Sequence, residues 1–279
     1  NDKPIVNSSE QKLWKTKKLK NTFLVTTILF IVATLVLLVL FVLSLTGLIN
    51  IPAFQIASKS SAIESKAYDT PEEVIDQFVL AIQNNDFESA LELFAVNNMV
   101  EGYDFEAYVE RINAFMPINS MAPQEYEAYS VINNAYQLNS VSNQIKMFAY
   151  SLLIPELDLT SMTFLQDIED DNIDLLDELD PSQLGSLELV RTNFSSPENQ
   201  RSEIHQDNID RLARIYGFSD QEEYVALFEF EGDYYLGGFV LVEFEEGWQI
   251  SGLGAPLAGV SFLGLEQITE SEYLENFGD

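Results

Sequence analysis

Apolar residues crowd together early in the chain and are spaced apart after it. No charged residue occurs from Asn21 to Ser58, and Phe23–Leu45 is nearly continuous Leu, Val, Ile and Phe. This pattern predicts one helix over 22–49, from about Thr22 to Leu48. About 27 helical residues span roughly 40 Å, more than the ~30 Å hydrocarbon core of a bilayer. The apolar region of a cleavable signal peptide usually covers only about 7–15 residues and ends at a small-x-small site, which is lacking here, so the helix is expected to stay as an anchor.

After a stalk over 50–69, the apolar positions become periodic. Thr70, Pro71 and Glu73 form a helix-start signal, and Val74, Ile75, Phe78, Val79 and Ile82 recur on one helical face. Asn84, Asn85 and Asp86 break that helix. Asp86 can cap a second one, whose stripe is Phe87, Ala90, Leu91 and Phe94. Further on, 104–116 reads as a helix, 141–154 as a strand and 182–218 as largely helical. The last third reads as three strands, Tyr224–Glu231, Tyr234–Glu245 and Trp248–Leu253, separated by Gly232-Asp233 and Glu246-Gly247. Gly237 and Gly238 suggest a bulge or bend, and Gly252, Gly254 and Pro256 a turn.

Charge gives the helix over 22–49 a direction. Lys12, Lys15, Lys17, Lys18 and Lys20 surround Trp14 ahead of it, while only Lys59 and Lys66 follow closely. By the positive-inside rule, residues 1–21 are a cytoplasmic tail and the remainder is extracytoplasmic. Residues 67–279 carry six basic against 42 acidic side chains, within a chain of formal net charge -31. So acidic a surface repels phosphate backbones and argues against nucleic-acid partners. The chain has no cysteine, which excludes disulfides, thiolate metal ligands and thiol catalysis.

The Thr-Pro-Glu-Glu-capped helix, the second helix opening NNDFESALELF and the closing segment FVLVEFEEGWQISGL together resemble the nuclear transport factor 2-like superfamily. They look in particular like its extracytoplasmic domains in bacterial membrane proteins and lipoproteins. The matched parts are 70–96 and about 223–254. The resemblance implies an α+β cone in which helices pack on a curved antiparallel sheet and enclose a cavity. The expected chain is therefore a single N-terminal transmembrane helix followed by a 70–279 α+β domain, with a largely helical acidic insertion over about 155–218. Because this fold hosts enzymes and non-catalytic modules alike, the resemblance does not select a function.

Candidate chemistry is sparse. His205 is the only histidine, so two-histidine sites are excluded. A serine triad lacks the Gly-x-Ser-x-Gly turn that would support it. Asp167, Glu169, Asp171 and Glu178 fall at positions 1, 3, 5 and 12 of a calcium-loop spacing, but Asn172 stands where such loops need glycine. Enzymes of the resembled fold place an acid and a tyrosine in the cavity; here acids and tyrosines are too abundant for the sequence to single out a pair. No cofactor is implied. The leading expectation is a membrane-anchored extracytoplasmic module that binds a ligand or a protein partner. A cavity enzyme of the isomerase or dehydratase kind, and an accessory or sensor subunit of a membrane complex, are the alternatives.

Overall fold

The computed structural model describes residues 63, 65–112, 121, 123, 127–155, 180–261 and 264–278. The basic tail, the expected transmembrane helix, residues 50–62 of the stalk and the acidic stretch 156–179 lie outside them. Among the described residues, no helix is long and apolar enough to cross a membrane.

Helix α1, Pro71–Gln83, begins where the pattern places it. The Glu73 N–H donates to Thr70 Oγ1, and Pro71 takes a first-turn position where no N–H is needed. Its stripe, Val74, Ile75, Phe78, Val79 and Ile82, is buried. The helix ends in a Schellman turn: left-handed Asn85 donates to Ile82 O, and the Asp86 N–H reaches back to Ala81 O. Asp86 then caps α2, Phe87–Glu92, by accepting from the Ser89 N–H at 3.0 Å. Helices α3, Val96–Glu101, and α4, Phe105–Ile112, follow.

Two expectations are corrected here. Segment 141–154 is the C-terminal half of a helix, α5, Glu127–Leu153, and not a strand. Val141, Ile145, Phe148 and Leu152 form its buried face at helical spacing. Exposed Ile132, Tyr136 and Tyr150 lie opposite, and apolar residues on both faces blur the one-sided stripe by which a helix is recognised. Conversely, 182–218 is not helical throughout. It holds strand β1, Glu188–Phe194, and short α6, Pro197–Gln200, before α7, Glu203–Tyr216.

Strands β2, Asp220–Phe230, β3, Asp233–Phe244, and β4, Gly247–Leu253, complete an antiparallel sheet in the order β1-β2-β3-β4. Two-residue β5, Glu266–Gln267, pairs with β3 at Tyr235 and Leu236, and α8, Glu270–Phe277, closes the domain. The β2–β3 turn is Glu231-Gly232, with φ 53° and 95°. Both residues are left-handed, the geometry that fits a tight hairpin between twisted strands. Gly237 and Gly238 do not mark a bulge against β2, since the register there is unbroken. A Cβ on Gly238 would strike Gly254 and Ala255, and one on Gly237 would strike Leu265 and Phe228. Close approach is what requires glycine.

Each sheet face is covered. On the inner face Tyr224, Ala226, Phe228, Phe239, Leu241 and Ile250 pack against α1 and α5. The Phe78 ring there lies 5.2 Å from Phe148 and 5.6 Å from Phe239, both edge-on. Phe148 meets Phe228 in the same way at 5.5 Å. Edge-to-face rings at such spacing add favourable quadrupole contacts to their burial. On the outer face Val225, Leu227 and Leu236 are covered by Ala255, Val260 and Tyr273, while Val242 meets Ile209 and Phe218. The outer edge of β4 is paired as well. Tyr68 exchanges hydrogen bonds with Trp248, and Ile250 bonds with Leu93 and Ala95, so packing begins ahead of Thr70.

Candidate ligand-binding cleft

The β1–β2 ladder ends in an unusual way. Phe194 pairs with Tyr224, and the Ser195 N–H donates to Glu223 O at 2.8 Å. The chain then turns through Ser196, at φ 39°, into α6. Gln200 closes α6 with 2% of its surface exposed. Its side-chain amide returns to β2: Oε1 accepts from the Glu223 N–H at 2.9 Å and Nε2 donates to Glu223 O at 2.8 Å. The amide oxygen thus supplies the acceptor for the Glu223 N–H that the turning chain no longer offers, while Glu223 O accepts from both Ser195 and Gln200, which keeps the buried backbone of β2 satisfied. Gln206 Nε2 donates in turn to Gln200 O at 2.8 Å.

This arrangement frames an open cleft of about 430 Å³. Phe194 and Pro197 give it apolar walls, Gln200, Gln206 and Gln221 line it with amides, and Arg201, Asp220 and Glu222 supply charge. Glu222 is half-buried, and its carboxyl is pushed above the usual range. Burial is the largest cause, and the charges of Asp220, Glu72 and Glu243 add to it against an opposing hydrogen bond from Tyr224.

Tyr224 sits between two carboxylates. Its hydroxyl lies 3.1 Å from Glu222 Oε2 and 3.2 Å from Glu72 Oε1, with Glu72 placed there by the first turn of α1. A phenol has one proton and can donate to only one of them. Glu72 is exposed, so its carboxylate remains open to water or to a cation. Burial and the two neighbouring carboxylates both hold the Tyr224 phenol above its ordinary value.

Glu223, the next residue along β2, points to the opposite face. It is 4% exposed, and its Oε2 accepts from the Leu257 N–H at 2.9 Å. That bond fastens the 3-10 turn Pro256–Ala258 beside the outer face. Burial raises the Glu223 carboxyl too, and the Leu257 N–H partly offsets this.

The single histidine lies elsewhere. His205 is on the first turn of α7, its N–H donating to Ser202 Oγ, beside an open pocket of about 470 Å³ that also has Asp207 and Arg211 on its lining. Ser202 Oγ itself donates to Asn199 O, so it is engaged in capping and does not form a nucleophile–base pair with the imidazole. Burial lowers the His205 pKa, which keeps the ring neutral near pH 7. The calcium candidates Asp167, Glu169, Asp171 and Glu178 lie outside the described residues. Among the described residues no group of three or more His, Asp or Glu is placed to hold a metal ion.

Sequence reasoning missed Gln200, and the trio Glu72, Tyr224 and Glu222. Glu222 and Tyr224 are two apart on a strand and so share a face, a signal present in the sequence. Glu72 is 152 residues from Tyr224, a proximity that only the packing of α1 on the sheet creates.

No family model and no curated protein matches the sequence. Among solved structures, the chain is similar to a cystatin-like protein from Ruminococcus gnavus. The TM-score is 0.49 and the identity 18%, and the match covers 76% of this chain and 44% of the other. The described domain is α+β, with helices packed on an antiparallel sheet.

Proposed function

We propose that the chain is a membrane-anchored extracytoplasmic binding module of the nuclear transport factor 2-like kind, without catalytic activity of its own. Its ligand is a peptide-like molecule carrying positive charge, received in the cleft at the start of β2. One observation carries this reading: the inner face, where the resemblance implies a cavity, is occupied by the rings of Phe78, Phe148, Phe228 and Phe239, whereas the cleft beside Glu222 is open and lined with amides and charge. Its amides suit backbone-like donors and acceptors. Asp220 and Glu222 outnumber Arg201 on its lining, and the acidity of residues 67–279 favours the approach of cations.

An enzyme of the isomerase or dehydratase kind has one observation in its favour, the contact of Glu222 with the Tyr224 hydroxyl. A raised carboxyl beside a phenol is a familiar acid–base pairing. Here Glu222 lines an open cleft and Tyr224 is buried behind it, so that, among the described residues, nothing closes the cleft against water, and this favours binding over catalysis.

The anchoring is tested by topology. Protease added to intact cells that express the chain should digest the 70–279 domain and leave a short fragment containing residues 1–49. Protection of the domain would overturn the orientation.

A further inference from the structure

The outward side of α5 carries a stripe that the cleft does not use. Ile132, Tyr136, Asn139, Asn143, Lys146 and Tyr150 are all exposed. They repeat at spacings of 4, 3, 4, 3 and 4 along the helix, the spacing of a two-stranded coil seam. At ~100° per residue they fall opposite the buried Val141, Ile145, Phe148 and Leu152. Ile132 is 58% exposed, Tyr136 57% and Tyr150 40%.

The stripe is also distinctive electrostatically. Ala128 to Pro155 contains no acid, the longest such run beyond residue 67 in a region that holds 42 of them. Along 128–153 a second copy laid on α5 would therefore meet no acidic side chain of that helix.

Laid against itself in the opposite direction, the stripe is self-complementary. With Val141 at the centre, Ile132 meets Tyr150 of a second copy, Tyr136 meets Lys146, and Asn139 meets Asn143. These pairs are apolar on apolar, an ammonium on an aromatic face, and amide on amide. A parallel alignment would instead place Lys146 on Lys146. We infer that α5 is a homodimerisation helix, pairing antiparallel with the α5 of a second copy about a twofold axis near Val141. Each contact then occurs twice, as an isologous interface requires.

The absence of cysteine from the chain makes the test direct. Ile132→Cys and Tyr150→Cys are prepared as separate variants of the full chain in detergent and oxidised alone or mixed. Antiparallel pairing brings Cys at 132 against Cys at 150 of the partner, and it separates like positions by about 27 Å at the helical rise. The mixture should therefore yield a disulfide-linked dimer and neither variant alone should. Cross-linking of either variant alone, or of no combination, overturns the proposal. Tyr136→Glu, introduced into both partners, should lower the mixed cross-link at least tenfold, while Lys146→Arg retains it. A yield unchanged by Tyr136→Glu overturns the proposal as well. Both substituted side chains are exposed, and the readout does not depend on ligand binding in the cleft.

Discussion

The Tyr224 hydroxyl lies within reach of two carboxylates and can donate to only one of them. Burial makes Glu222 hold its proton more tightly, against the opposing hydrogen bond from Tyr224, and burial does the same for Glu223, its neighbour on the opposite face of β2. Both carboxyls bind protons more readily folded than unfolded. Their contribution to stability is therefore complete when they are protonated, and it declines as pH rises from the ordinary carboxyl range through the raised values. The melting temperature of the full chain should climb as pH falls from 7 toward 5. Glu223→Gln keeps an acceptor for the Leu257 N–H but removes the buried charge. It should stabilise the protein at pH 7 by on the order of 1 kcal/mol, or ~2–4 °C, and flatten the climb. A melting temperature that falls on mild acidification, or a Gln variant with the pH profile of the parent, would contradict this. Relief of general charge repulsion acts in the same direction, so the comparison of the two profiles isolates Glu223.

At the scale of elements, legibility followed the strength of local signals. Helix α1 and the β2–β3 hairpin could be read because Thr70, Pro71 and the Gly232 turn act through their own backbone geometry, whatever packs around them. Helix α5 was hidden because Ile132, Tyr136 and Tyr150 put apolar weight on the face away from the core. Strand β1 was hidden for another reason. As an edge strand its burial is partial, and Leu189, Val190 and Arg191 straddle an irregularity in register against β2, so no clean alternation survives. Gln200 could not have been recognised from sequence at all, since a glutamine that completes a ladder looks like any other polar residue in a loop. Its role is measurable. Gln200→Ala leaves the buried Glu223 N–H without an acceptor and should cost ~1–3 kcal/mol in urea unfolding. Hydrogen exchange at Glu223 should accelerate along with it. An unchanged exchange rate there would remove the clamp from the account.

The whole molecule assembles what these pieces imply separately. Two helices and a four-strand ladder bury one aromatic core. The C-terminal segment buries the other face, and the polar cleft lies at the sheet end where β1 gives way to Gln200. Composition foretold the acidic surface and argued against nucleic acid. It could not foretell which acids converge, because Glu72 and Glu222 meet only after α1 packs on the sheet. The central claim is that the cleft at Glu222 receives a cationic, peptide-like ligand, and isothermal titration of the full chain with trilysine tests it most directly. Wild-type protein should bind trilysine and not triglutamate, and Glu222→Gln should weaken trilysine binding at least tenfold, about 1.4 kcal/mol. Equal affinity in the two proteins, or no binding by either, would contradict the account.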